Sequence, residues 1–191
     1  PIVQKLGALP ILLAGSDEQK DRYFPRLASG EWLAAFALTE AAAGSDVAAN
    51  RMRATRAGNH YVLNGSKRFI THGSVANLLT VFALTDPDAG GRKGMSAFIV
   101  ETATPGFGAP RVEHKMGIRA SPTAELTFDS VQVPLDNRLG AEGDGFKIAM
   151  ATLDRSRLGI AAQAVGNAHG ALDAAVAYAA HRKQFGQRVV D

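Results

Sequence analysis

The 191-residue sequence contains no cysteine, so it can form neither a disulfide framework nor a thiolate metal site. It also lacks any apolar run approaching the roughly 20 residues that a helix needs to cross a bilayer. Residues 1–13 show neither the basic start nor the cleavage site of a signal peptide. We therefore expect a cytoplasmic protein without a membrane span. Because the chain starts without Met and has no stop signal at its end, we also expect a piece of a longer polypeptide.

Several motifs of well-known sites are missing as well. There is no G-x-G-x-x-G after a strand and no P-loop, so a Rossmann or Walker nucleotide site has no support. A serine elbow of the form G-x-S-x-G is absent too. The five histidines do not have the spacing of metal ligands, and we predict no metal site.

The composition is that of an ordinary globular protein, with 46% hydrophobic and 20% charged residues. A net charge of +3 would allow a polyanionic partner such as a nucleotide, CoA or nucleic acid. The basic residues are scattered, however, and only Arg51, Arg53 and Arg56 crowd together. A solvated strand face is the better interpretation of that group, so we predict no nucleic-acid partner.

The hydrophobic pattern changes twice along the chain. Residues 2–28 have helical spacing, with Ser16 as N-cap and Gln19 completing a capping box. Short strands separated by turn clusters follow, and Asn64-Gly65 is a strong signal for a hairpin turn. From Gly145 to His181, apolar residues recur at steps of three and four, which predicts one helix about 55 Å long.

The predicted fold class is therefore α+β and multidomain: short helices, a β-barrel or sandwich in the middle, and a long helix of a helical bundle. We assign residues 1–35 to the end of a helical domain and 36–140 to the β domain. Residues 141–191 are assigned to the first helix of the bundle. Small residues along this helix predict close neighbours.

The rest of the sequence is organised around the stretch from Phe36 to Asp46. A strand-like run ends in Thr39-Glu40, and a tight Gly44-Ser45-Asp46 corner follows. The loop carries two hydroxyls, from Thr39 and Ser45, and a glycine that lets a ligand approach the backbone. Such a loop can hold a planar, hydrogen-bonding ligand.

Three further elements follow in order: Asn64 to Gly73, Met116 to Ser121, and a basic pair of segments, Asp154 to Arg157 and Arg182 to Gly186. Together with the first they match the pattern T-E-x-x-x-G-S-D, N-G-x-K-x-W-I-T, M-G-x-R-x-S, a helix bearing Arg, and R-x-Q-F-G. In this respect the chain resembles the acyl-CoA dehydrogenase family along essentially its whole length. The family consists of flavoproteins that oxidise acyl-CoA thioesters.

The resemblance implies an FAD site in the β domain. Thr39 would bind the pyrimidine side of the flavin, Ser45 would lie near the pyrophosphate, and Thr71 near N5. Phe69 stands where the family usually has tryptophan, so the aromatic face is kept and the indole donor is lost. The implied cofactor residues are Phe36, Leu38, Thr39, Gly44, Ser45, Phe69, Ile70, Thr71, Arg182, Gln184 and Phe185, the last three reaching the FAD of a neighbouring subunit.

The resemblance also implies substrate contacts and partners. Ser45, Ser121, Asp154 and Arg157 would contact acyl-CoA, electron-transfer flavoprotein would be the acceptor, and the assembly would be a homodimer or homotetramer. The family's catalytic base is a glutamate at one of two places. One of them is Ser156 here, which cannot serve, so we expect the base beyond Asp191 and no catalytic residue or dehydrogenase activity in this stretch.

Other functions remain open at this stage. An acyl-CoA oxidase shares the fold, and so do a nitroalkane oxidase and a DNA-binding flavoprotein of the alkylation response. A structural or interaction module built from the same parts is the third alternative. Asp154 and Arg157 could be a surface ion pair, and Arg182 could simply stabilise a helix C-terminus.

Overall fold

The computed structural model describes residues 2–191, with side chains from residue 4 onward. It divides into two units, one ending at Leu153 and the other formed by Asp154–Asp191. The helices are α1 Ile2–Ala14, α2 Asp17–Ser29, α3 Gly90–Gly94 and α4 Gly145–His181. The strands are β1 Ala34–Ala37, β2 Arg53–Ala57, β3 His60–Thr71, β4 Leu78–Leu84, β5 Met95–Glu101, β6 Phe107–Val112, β7 Thr123–Pro134, β8 Arg138–Leu139, β9 Lys183–Gln184 and β10 Gln187–Arg188.

The two N-terminal helices are joined by the predicted capping box. The Ser16 hydroxyl accepts the Gln19 backbone N–H, and the Gln19 side chain accepts the Ser16 N–H. These bonds satisfy two donors that have no partner inside the helix. At the other end of α2, Gly30 takes the left-handed conformation that stops the helix. The sequence prediction for this corner is confirmed.

Gln4 of α1 attaches the helical layer to β1. Its side-chain amide donates to the carbonyls of Leu27 and Trp32, at 3.0 and 2.8 Å, and accepts the N–H of Ala34 at 2.7 Å. One side chain therefore satisfies three backbone groups between the last turn of α2 and the first residue of β1.

Strands β1 to β8 form one sheet, with the path β6-β7-β3-β2-β4-β5-β8 and β1 paired in parallel to β4. Alternate residues of β4 and β5 belong to two different hydrophobic cores, with Val81 and Phe98 in one and Phe82 and Ile99 in the other. The central strands are therefore buried on both faces, which explains why they read as continuous apolar runs.

The predicted fold class is confirmed, with short helices, a middle sheet and a long helix in that order. Within residues 2–191 the end strands β6 and β8 do not pair with each other, so the sheet is not a closed barrel. None of the helices formed by the described residues is both long and apolar enough to span a membrane.

The predicted hairpin turn at Asn64-Gly65 is wrong. β3 runs without interruption through both residues, and the hairpin lies at Gly58-Asn59, where Ala57 pairs with His60. Gly65 instead sits at a bulge with φ of 143°, where an added Cβ would lie 2.9 Å from Met52. The glycine is required by the close approach of Met52, just before β2, rather than by a turn.

The second unit, Asp154–Asp191, contains the rest of α4 and the short hairpin of β9 and β10. Phe185 and Gly186 form its turn with φ of 52° and 83°, the two positive values that a type I′ turn requires. The Val189 N–H donates to the Arg182 carbonyl at 2.8 Å and closes the hairpin onto the helix end.

Candidate functional site

A cavity of about 340 Å³ lies where β1 ends beside the end of β3. Seven of the eleven residues predicted to hold a cofactor line it, and they come from two separate stretches of sequence. Both threonines, Thr39 and Thr71, are among them. The lining residues are Leu6, Phe36, Leu38, Thr39, Gly44, Val47, Phe69, Ile70, Thr71 and Leu153.

A larger cavity of about 700 Å³ lies between the corner of the N-terminal helices and β8. Ser16, Arg22 and Arg138 are on its wall, and none of the predicted site residues is. Size alone therefore does not identify the candidate site. The smaller cavity is the one that collects an aromatic and aliphatic wall with two hydroxyls, which is the usual make-up of a ligand pocket.

The first wall of the pocket is built by the turn that follows β1. Glu40 and Ala43 exchange two backbone hydrogen bonds, of 3.1 and 3.2 Å, and this tight turn leads into Gly44. A Cβ added at Gly44 would meet nothing within 4 Å, so the backbone there borders open space. Ser45 is exposed and does not line the pocket.

The second wall is an irregular stretch of β3. Its pairing with β7 shifts between Lys67 and Ile70, and Phe69 has a φ of 57°. A left-handed conformation is costly for a residue with a bulky side chain and is typical of functional sites. The bulge leaves Phe69 57% exposed while Ile70 remains buried. Both side chains line the same pocket.

A buried cation connects the two walls. Lys67 is fully buried, and its Nζ donates to the Leu38 carbonyl at 3.1 Å, to Glu40 Oε1 at 2.8 Å and to Asn50 Oδ1 at 2.5 Å. The backbone N–H of Arg68 also donates to the Thr39 carbonyl, at 2.8 Å. The two stretches that bring threonines to the pocket are thus bonded to each other directly behind it.

Glu40 completes this cluster. Its carboxylate accepts the backbone N–H groups of Arg51 and Met52 at 2.7 and 3.0 Å, in addition to the Lys67 ammonium. Burial lowers the pKa of Lys67 to about 8, and the charge and hydrogen bond of Glu40 oppose that shift. Sequence reasoning missed the cluster; the alternation of a strand could have indicated a buried lysine, but not which residues pair with it.

Just past the pocket, β3 ends in a second residue of unusual conformation. His72 has a φ of 63°, its N–H donates to the Pro122 carbonyl at 2.7 Å, and its Nδ1 is buried without a hydrogen-bond partner. Burial lowers the pKa of its imidazole, and the nearby Lys115 adds to that effect. The neutral form of His72 is favoured beside Thr71.

Ser121, a predicted substrate contact, does not line this pocket. It lies shortly before β7, and its backbone carbonyl accepts a hydrogen bond from Lys115 Nζ. Met116 and Ile118 in the same segment are largely exposed. The segment is nevertheless bonded to the end of β3, because the His72 N–H donates to the Pro122 carbonyl.

The remaining predicted site residues belong to the second unit. Asp154 Oδ1 and Arg157 Nε lie 3.8 Å apart on exposed side chains, so within this unit they form the loose i, i+3 ion pair that the sequence left open. Arg182, Gln184 and Phe185 are all exposed in and before the terminal hairpin. Their proposed roles stay predictions.

Comparison with known proteins identifies the family. Models of the acyl-CoA dehydrogenase N-terminal, middle and C-terminal domains match residues 1–31, 35–131 and 143–191. The chain belongs to the acyl-CoA dehydrogenase family, as its motifs predicted. The domain limits at 35, 36, 140 and 141 remain predictions, since the contacts alone divide the chain after Leu153.

Three relatives show the extent of the similarity. An acyl-CoA dehydrogenase of Bacillus subtilis is 54% identical over 184 residues, which cover 96% of this chain and 48% of the relative. Butyryl-CoA dehydrogenase from Megasphaera elsdenii is 48% identical, with a TM-score of 0.93, and the match covers 98% of this chain and 49% of that one. A chain in a structure of the electron transferring flavoprotein of Acidaminococcus fermentans is 49% identical, with a TM-score of 0.96 over 100% of this chain and 50% of that one. The chain spans about half the length of the relatives it matches.

Proposed function

We propose that the complete protein containing this chain is an FAD-dependent acyl-CoA dehydrogenase, which removes hydrogen from the α and β carbons of an acyl-CoA thioester. The observation that carries the proposal is the pocket itself. Two threonines from separate elements, Thr39 and Thr71, line one cavity in a chain of the acyl-CoA dehydrogenase family. Relatives named acyl-CoA dehydrogenase and butyryl-CoA dehydrogenase support the same reaction.

The residues of the pocket fit a flavin. A flat aromatic ring needs apolar walls above and below and polar groups at its edge, and the pocket provides Phe36 and Phe69 as aromatic walls with Thr39 and Thr71 as hydroxyls. The backbone at Gly44 borders open space, where a side chain would otherwise stand. No charged side chain is among the described residues that line this cavity.

FAD, when bound, supplies the electron acceptor for the hydride that leaves the β carbon. The chain's own contribution is binding and orientation. We assign Phe36, Leu38, Thr39, Gly44, Phe69, Ile70 and Thr71 to the flavin. Ser45 is assigned to the pyrophosphate side of FAD and to the substrate, and its exposure leaves it accessible for either.

The base that takes the α proton is a separate question. The described residues lining the pocket include no carboxylate, and Ser156, at one of the two family positions, has no basic group. A carboxylate in a dry apolar pocket has a pKa raised toward neutrality, as this reaction requires. We propose that such a glutamate belongs to a part of the complete protein that this sequence does not contain.

Further assignments concern the substrate and the assembly. We assign Ser121, Asp154 and Arg157 to the CoA part of the substrate, where Arg157 offers a cation to a polyanion. Arg182, Gln184 and Phe185 are assigned to the FAD of a neighbouring subunit in a homodimer or homotetramer. Electron-transfer flavoprotein is the proposed acceptor, supported by the similarity to a chain from a structure of such a system. Fatty acid metabolism in the cytoplasm is the proposed setting.

The test is an anaerobic titration of the complete protein with straight-chain, branched and aromatic acyl-CoAs while the flavin absorbance is followed. Bleaching of the flavin by at least one of them is the expected result. A yellow protein that no acyl-CoA bleaches would contradict the dehydrogenase assignment, and a colourless protein would contradict the flavin site. Hydrogen peroxide formed at the turnover rate would identify an oxidase instead. Tight DNA binding that weakens with salt would identify the alkylation-response type.

A further inference from the structure

Lys67 occupies a position that is unusual for a lysine. Its relative solvent accessibility is 0%. Lysine is almost never fully buried unless it is paired. Every one of its three ammonium donors has an acceptor: the Leu38 carbonyl, Glu40 and Asn50. Removing a charged group from water is unfavourable, and complete pairing is needed to offset the lost hydration.

Two of the three acceptors, Leu38 and Glu40, lie next to a pocket residue in the chain. Leu38 and Glu40 flank Thr39, the first threonine of the pocket. Lys67 itself comes just before the bulge that presents Phe69 and Thr71 to the same cavity. The lysine therefore joins the turn after β1 to the bulge of β3 without touching the cavity itself.

Glu40 extends the connection to a third segment. Its two oxygens accept the N–H groups of Arg51 and Met52 just before β2. Asn50 is held in turn because its side-chain amide donates to the Val47 carbonyl at 3.0 Å, and Val47 lines the pocket. A single ammonium thus fixes three segments that all border the cavity.

We infer that Lys67 is a positioning residue for the flavin pocket: it holds the turn carrying Thr39 in register with the bulge carrying Phe69 and Thr71. The inference rests on the proposed function, because it assigns the pocket to FAD. A buried ion pair with a purely structural role would lower stability when broken and leave the affinity of the folded protein for FAD unchanged. A positioning residue predicts a separate loss of FAD affinity, since a pocket held less firmly has to be ordered when the ligand binds.

The experiment compares two variants of the complete protein after removal of FAD. Lys67→Met deletes the ammonium and keeps an apolar side chain of similar length. Tyr61→Leu is the matched control, because Tyr61 is a fully buried residue of the same strand whose hydroxyl bonds Glu142 and Arg138 rather than the pocket. Unfolding by urea measures the stability of each. Quenching of FAD fluorescence measures the dissociation constant at a temperature where each apoprotein is folded.

For Lys67→Met we expect FAD to bind about tenfold more weakly, the lower end of what loss of an outer-shell partner costs at metal sites. For Tyr61→Leu we expect lower stability with an FAD dissociation constant within about twofold of the wild type. The visible circular dichroism of bound FAD should change in the first variant and not in the second, because only the first alters how the ring is held.

Equal FAD affinity and equal flavin spectra in Lys67→Met and wild type would overturn the inference. If wild-type apoprotein takes up no FAD, the proposed function fails, which is a different result. Should Lys67→Met not fold, Asn50→Ala removes one of the three acceptors, together with the hydrogen bond to Val47, and provides a milder comparison. An unchanged dissociation constant in a folded Asn50→Ala would then count against the positioning role.

Discussion

Phe69 offers a direct way to separate the stability of this protein from the use of its pocket. The residue has a φ of 57° and its side chain is 57% exposed. Replacing it by glycine would relieve a backbone conformation that costs a residue with a Cβ roughly 1–2 kcal/mol. The same change would remove the covered part of the ring, which is worth about 2 kcal/mol if roughly 85 Å² is taken from water.

These two effects nearly cancel. Glycine also gains freedom in the unfolded chain, at a cost of about 0.5–1 kcal/mol to the folded state. We therefore expect Phe69→Gly to lower the free energy of unfolding of the apoprotein by only about 1 kcal/mol, far less than the roughly 3–5 kcal/mol of a fully buried phenylalanine changed to alanine. Its affinity for FAD should fall by about tenfold, since an aromatic stacking contact with a flat ring is worth about 1–3 kcal/mol in comparable systems.

Ile118 provides the matched control for this experiment. It too has a positive φ, of 52°, it is 79% exposed, and it does not line the pocket. Ile118→Gly should leave FAD affinity unchanged and alter stability by less than about 1 kcal/mol. Urea unfolding and FAD fluorescence titration measure both quantities. If Phe69→Gly lowered the free energy of unfolding by about 3 kcal/mol or more, the loss expected for a core phenylalanine, the reasoning would be refuted. An unchanged FAD dissociation constant would refute it as well.

Three other predictions concern the fold and the buried cation. Gly65→Ala should lower the free energy of unfolding in urea by about 1–3 kcal/mol, because its Cβ would lie 2.9 Å from Met52 at a φ of 143°. The control is Gly58→Ala, where the space is open. A loss at Gly65 no larger than the loss at Gly58 would argue against the close approach. Ser16→Ala should lose about 1 kcal/mol with the capping box, and no loss of thermal stability would contradict that geometry. Burial lowers the pKa of Lys67 to about 8, below the roughly 10.4 of an unfolded chain, so between these values the unfolded state binds more protons. The contribution of Lys67 to stability therefore rises with pH through that window and is lost below about pH 8. The measurement is the difference in free energy of unfolding between wild type and Lys67→Met. A difference that stays flat from about pH 7.5 to pH 10 would exclude this shift.

Some of the structure could be predicted from local sequence alone. The ranges of β4, β5 and α4 and the capping box of α2 follow from hydrophobic spacing and cap residues that lie within a few positions of each other. The order of the spaced motifs was enough to identify the family. The family resemblance predicts one site for the motif residues Thr39 and Thr71, and both line one cavity.

The tertiary structure decided what depends on contacts between distant segments. Asn64-Gly65 has the local signature of a turn, and only the pairing of β3 with β7 shows that it is a bulge within a continuous strand. The left-handed conformation of Phe69 likewise reflects the shift in pairing between β3 and β7 rather than any local preference.

The buried cation is the clearest case. Nothing near Lys67 in the sequence indicates that its ammonium meets Leu38, Glu40 and Asn50, because these residues are brought together only when β1, β2 and β3 assemble. Amino-acid order determined which elements form and which chemical groups are available. Packing of the sheet determined which of those groups meet, because burying a charge is favourable only where the whole fold supplies its partners.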